Sequence, residues 1–176
     1  MTNPTLGGDF LAVVTNDFTR LKEMAEKVFQ QLDDGDLFYK PDDESNSIAV
    51  IVKHMAGNMR SRWTGFLTSD GEKPDRNRDG EFVDEGMTRE QLMSAWNDGW
   101  GRVFDVLAGL GEADLERTVY IRGEPHTVVR AVVRQLVHYA HHVGQIAYIG
   151  KHRRGAAWES LSIPKGRSRE YRPRTP

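Results

Sequence analysis

Three histidines fall close together near the C-terminal third of the chain, His138, His141 and His142, and a fourth, His54, follows the apolar run Ile48-Ala-Val-Ile-Val52. On a helix at about 100° per residue, His138 and His142 lie about 40° apart and one turn along, so both rings can reach one point. His138 and His141 lie about 60° apart on the other side and pair less well. Imidazoles at i and i+4 are the arrangement by which zinc-binding helices present two ligands. Two ligands do not make a site, so a third must come from a neighbouring element. His54, on an apolar helical face, is the best placed; His126, in the turn before the last helix, is the alternative, and His152 reads as a helix-end cation.

Glutamines flank the pair. Gln135, His138, His142 and Gln145 trace one polar row along a segment otherwise rich in Val, Ile and Leu. Buried polar groups are costly unless satisfied, so the row needs a hydrogen-bond network or a metal. The expectation is a metal at His54, His138 and His142. Gln135, Gln145 and Asn58, one turn after His54, are candidates to orient the ligands or a substrate.

Other chemistries are excluded or weak. The chain has no cysteine, so there is no disulfide, no thiolate ligand and no sulfur nucleophile of its own. Carboxylate-bridged di-metal bundles need inward glutamates, and no carboxylate lies between Val128 and Lys151. Asp75-Arg-Asn77-Arg-Asp79-Gly80 matches the first half of a calcium loop, but the bidentate position is Gly86, with Glu85 one short, and Pro74 sits where an entering helix should run. Arg60, Arg62, Arg76 and Arg78 read as surface charges that an anionic substrate could meet. No nucleophile triad, phosphate loop or nucleotide fingerprint is present.

Four helical segments must position these residues. The first runs from about Leu6 to Leu32, with apolar residues at three- and four-residue steps, and stops at Asp33-Asp-Gly35. The second starts after Asn46-Ser47 and carries Ile48, Ile51, Met55, Met59 and Trp63 toward Leu67. The third opens on a capping box, Thr88-Arg-Glu-Gln91, and ends at Gly109 and Gly111. The fourth spans about Val128 to Lys151, capped by Thr127 and preceded by Thr118-Val-Tyr-Ile121 and a turn that suggest a small hairpin. This pattern predicts an all-α fold, an antiparallel four-helix bundle. A charged loop over residues 69–87 links the second and third helices; its length implies a functional flap or local structure.

One domain accounts for all 176 residues, with a core at about 6–152 and a basic tail at 153–176. The net charge is −2, but residues from Lys151 onward carry +6, leaving −8 on the rest. Such a tail reads as a solvated terminus on an acidic body, and the apolar stretch Trp158–Pro164 should pack back onto the helices. Neither a secretory leader nor a bilayer-length apolar run is present, so a cytoplasmic protein is expected, with no membrane partner.

His54, then His138-Tyr-Ala-His-His142-Val-Gly-Gln145, resemble the DinB/YfiT-like superfamily of bacterial metal-binding four-helix proteins. The segments His54-Met-Ala-Gly-Asn58-Met-Arg-Ser-Arg-Trp63, Asp70-Gly-Glu-Lys-Pro74, Arg76-Asn-Arg-Asp-Gly-Glu-Phe82 and Ile121-Arg-Gly-Glu-Pro-His-Thr127 look like an uncharacterised branch of it. The resemblance covers roughly residues 10 to 165. It implies that His54, His138 and His142 are the ligands, prefers His142 over His141, and implies a homodimer.

Three neutral imidazoles leave an open position on a divalent ion, the layout of a catalytic rather than a structural site. Such an ion acidifies water or stabilises an incoming thiolate, and some relatives implied by the resemblance activate low-molecular-weight thiols. The leading expectation is therefore a metal-dependent enzyme, a thiol transferase or a hydrolase, acting on a small molecule. Zinc or nickel is the first expectation for the metal; iron and copper also suit all-nitrogen ligation. The alternative is a non-catalytic, metal-stabilised dimeric binding or stress-response module. Nucleic-acid binding through the tail is disfavoured by the acidic body.

Overall fold

A computed structural model describes residues 5–83 and 86–170. The tail arginines Arg172 and Arg174, and Glu85 of the half calcium motif, lie outside the described residues. The protein is mostly helical. Helix α1 spans Leu6–Phe29, α2 Asp34–Leu37, α3 Ile48–Trp63, α4 Arg89–Gly109 and α5 Val128–Arg154, with a single hairpin of β1 (Thr118–Ile121) and β2 (Glu124–Thr127). No described helix is long and apolar enough to cross a membrane.

The helix starts follow local side-chain chemistry. Thr5, Ser47, Thr88 and Thr127 each accept a hydrogen bond from a first-turn amide, satisfying a donor that the helix cannot. At Thr88 the expected reciprocal bond from Gln91 completes the capping box. Two ends differ from the periodicity. α1 stops at Phe29 because Asp33 caps a separate turn, α2, through a reciprocal bond with Asp36. α3 stops at Trp63 rather than near Leu67, and Gly65 follows at φ +58°, a left-handed conformation that ends helices.

α3 packs along α4 and α1 along α5, and the pairs meet through α3–α5 and α1–α4. The four long helices enclose one apolar core. At its centre Phe18 lies edge-on to Trp63 at 5.7 Å between ring centres, and to Trp100 at 6.1 Å. α3 and α4 approach closely at Gly99, where a Cβ would stand 2.9 Å from the Met59 sulfur.

The hairpin forms as expected, Thr118 opposite Thr127 and Ile121 opposite Glu124. Its turn, Arg122-Gly123, has positive φ at both residues, 58° and 74°, the geometry of a tight two-residue hairpin. The tail packs back as expected: Trp158 and Leu161 are half-buried against the core, and Glu159 exchanges two hydrogen bonds with Gln31, at 2.8 and 3.2 Å. Arg153 meets Asp36 at 2.7 Å and covers the Tyr39 ring.

The segment between α3 and α4 has local structure of its own. Asp70 accepts bonds from the Arg122 and Gly123 amides, at 2.8 and 2.7 Å, and the Gly71 amide donates to Tyr120 at 2.8 Å. These bonds tie its start to the hairpin. Further on, Asn77 caps the Gly80 amide at 2.9 Å and a 3-10 turn forms over Asp79–Phe82. That turn packs on α3.

Candidate metal centre

α3 and α5 bring His54, His138 and His142 together. One ring nitrogen from each lies within 4.8 Å of the others. The converging atoms are the three Nε2: His138 to His142 at 3.0 Å and His138 to His54 at 3.4 Å. His54 is buried, and the other two are partly buried. The i, i+4 spacing on α5 places two of these rings; α3 crosses beside them and supplies the third.

The opposite edges of two rings have fixed partners. His54 Nδ1 lies 2.9 Å from Glu81 Oε2, and the Glu81 carboxylate also takes a two-pronged grip from Arg76, 2.8 Å from Nε to Oε1 and 2.8 Å from Nη2 to Oε2. Burial opposes ionisation of Glu81, but the bonds from Arg76 and His54 outweigh it and hold the carboxyl below its ordinary range. An ionised carboxylate only accepts, so His54 Nδ1 carries a hydrogen and Nε2 is the nitrogen turned inward. His142 Nδ1 lies 2.8 Å from the Gln145 amide oxygen, which fixes the same tautomer there. The Gln145 amide nitrogen reaches His141 at 3.4 Å.

The Nε2 atoms of His54 and His142 therefore face His138 Nε2. Burial, then the neighbouring His142 and His54, push the His138 pKa down to about 3, so the ring is neutral at physiological pH. Burial also lowers His142. Imidazole nitrogens converging on a point, with outer hydrogen bonds holding two of the rings, fit a divalent transition ion.

Other sequence candidates are placed elsewhere. Asn58 is buried but accepts a hydrogen bond from Tyr139 at 3.0 Å, and Tyr139 in turn accepts from Trp63 Nε1 at 2.9 Å. Gln135 is buried with its Oε1 unpaired, lining a small cavity under the hairpin beside Arg62 and Ile121. His126 sits on β2 opposite Val119, outside the convergent group. His152 stacks on Tyr39.

Arg62 and Arg76 are not surface charges, because acidic groups of the loop follow them inside. Arg62 is 5% exposed and meets Glu72 at 2.8 Å. Arg76 is buried on Glu81 and Glu72. Arg60 and Arg78 are exposed.

Sequence reasoning passed over Glu81 and Phe82. Phe82 lays its ring on His54, 4.7 Å between centres. The segment has no helical periodicity to announce an inward side chain; its Asp-Gly turn was the one local signal.

A family model described as a protein of unknown function (DUF1572) matches residues 5–167. Comparison with curated proteins gives no match.

Proposed function

The chain belongs to the DUF1572 family, and from that premise we propose that it is a metal-dependent enzyme of DinB/YfiT-like architecture, an antiparallel four-helix bundle. Its centre holds one divalent transition ion, zinc or nickel before iron or copper, on the Nε2 atoms of His54, His138 and His142. The observation that carries this reading is the convergence of three imidazole nitrogens within 4.8 Å. Where burial limits access to water, converging imidazole nitrogens are unfavourable without a cation or a shared proton between them.

A divalent ion with an open position supplies Lewis acidity, lowering the pKa of a water or thiol brought to it. The chain's own residues do the rest. Glu81 and Gln145 hold the ring hydrogens of His54 and His142 on their outer edges. Burial keeps His138 unprotonated. Phe82 covers one face of His54, while His141 and Gln145 are exposed beside His142; a small-molecule substrate enters from this α5 side. Because the chain has no cysteine, a transferred sulfur comes from a low-molecular-weight thiol cosubstrate, and thiol transfer is the leading reaction, with hydrolysis next. The same reading takes the protein as a homodimer.

The test is elemental analysis of protein purified without an affinity tag or added metal, beside His138→Ala. About one transition ion per chain, lost in the variant, is the expected result. A metal-free wild type that resists reconstitution with zinc and nickel sinks the reading and leaves a buried histidine network. Metal present but sealed from small thiols and water favours a non-catalytic binding module.

A further inference from the structure

We propose that Glu81, clamped by Arg76 and seated over Gly57, is the positioning residue of the metal centre, fixing which nitrogen of His54 faces the ion. The inference rests on the reading of His54, His138 and His142 as ligands and assigns a role to the loop that joins α3 to α4.

Three observations converge on it. The carboxylate is buried, 6% exposed, and its two oxygens are shared between Arg76 and the outer nitrogen of His54. No substrate could reach such a group without first displacing a buried arginine. Its geometry is that of the carboxylate–histidine pair that orients metal-binding imidazoles and raises their basicity.

The second observation is a notch. Gly57 lies on α3 one turn after His54, and a Cβ there would stand 2.2 Å from Glu81 Oε1 and 2.7 Å from its carboxyl carbon. The carboxylate occupies the space that any other residue's side chain would fill. A glycine inside a helix weakens it, and here the closeness of Glu81 accounts for it.

The third is the mounting of the strap. Asp70 anchors its start to the hairpin turn, Glu72 pairs with Arg62 and Arg76, and Phe82 stacks on His54 just beyond Glu81. The carboxylate is therefore delivered by a segment held at both sides of it. Without the carboxylate, His54 is free to carry its hydrogen on either nitrogen, and the form with Nε2–H cannot bind a metal at that atom.

The tests are a competition titration with Zn2+ against a chromophoric chelator, and 15N shifts of the histidine rings in metal-free protein. Both use full-length wild type, Glu81→Ala, Glu81→Gln, Gly57→Ala and His138→Ala, each checked for helicity by circular dichroism. In wild type, His54 should be the Nδ1–H tautomer. Glu81→Ala and Gly57→Ala should mix the tautomers and weaken zinc about 10- to 100-fold. Glu81→Gln, which keeps an acceptor, should fall between. Gly57→Ala separates positioning from folding, since alanine favours the helix while crowding the carboxylate.

Wild-type affinity and an unchanged His54 tautomer in both Glu81→Ala and Gly57→Ala would overturn the role of Glu81 while leaving the metal reading intact. Failure of the wild type itself to bind zinc would remove the metal reading, and this inference with it.

Discussion

Two clusters of rings lie inside this protein, and their geometry is nearly the same. In the aromatic core, Phe29 meets Trp96 at 5.3 Å and 82°, Trp96 meets Trp100 at 5.5 Å and 69°, and Trp100 meets Tyr139 at 5.7 Å and 69°. In the histidine cluster, the ring centres lie 4.6 to 5.4 Å apart at 71° to 89°. Edge-to-face packing in the first brings positive ring edges to negative faces and is favourable on its own. The same packing in the second turns nitrogen toward nitrogen. One cluster packs carbon against carbon; the other gathers polar nitrogen atoms within 4.8 Å of one another.

The contrast can be broken at its apolar side first. Trp100 is fully buried, and Trp100→Ala should cost about 3–5 kcal/mol in urea unfolding. A loss below about 1 kcal/mol would show that the aromatic cluster is not what holds the helices together.

Tyr139 joins the two clusters, being next to His138 in sequence and hydrogen-bonded to Asn58 and Trp63. Tyr139→Phe leaves the buried Trp63 N–H without its acceptor and should cost about 1–3 kcal/mol. An unchanged unfolding midpoint would mean that the polar atoms in the aromatic core are incidental.

The histidine side is sharpened by pH. Unfolded His138 titrates near 6.5, but folded it titrates at about 3. The unfolded chain thus takes up a proton that the folded chain refuses. The stability of metal-free protein should be full above about pH 6.5 and fall as pH drops toward 3, by up to about 1.4 kcal/mol per pH unit for this proton. Urea unfolding of wild type and His138→Ala at pH 7, 6, 5 and 4 gives the difference, since other groups contribute to both. Parallel profiles would remove His138 as the source.

The helices were legible because their signals are local. Caps at Ser47, Thr88 and Thr127 and stripes at helical spacing mark three of the long helices closely. Spacing favours His138 with His142 over His138 with His141, the resemblance supports that choice, and His54 is the preferred third ring with His126 as the alternative. What could not be read was the path of the loop between α3 and α4. Glu81 stands 27 residues from His54, and the loop is aimed back at α3 by ties between distant residues, from Asp70 to the hairpin turn and from Ser61 and Arg62 to Gly71 and Glu72. Arg76 looked solvent-facing because its partners are loop residues without a periodic pattern. Gln135 shares a helical row with the histidines, yet the hairpin beside it, rather than the row, determines what it meets.

Tyr139 also restrains the turning of α5 about its own long axis. Its hydroxyl is held from two directions on α3, while the neighbouring His138 points into the histidine cluster. With side-chain atoms about 6 Å from a helix axis, a 10° roll would carry the His138 nitrogen by about 1 Å, beyond the tolerance of a positioned site. The phenol acts as a key in a slot, setting the azimuth of the helix that carries two of the three converging rings. A residue outside the histidine cluster thereby governs the alignment of that cluster.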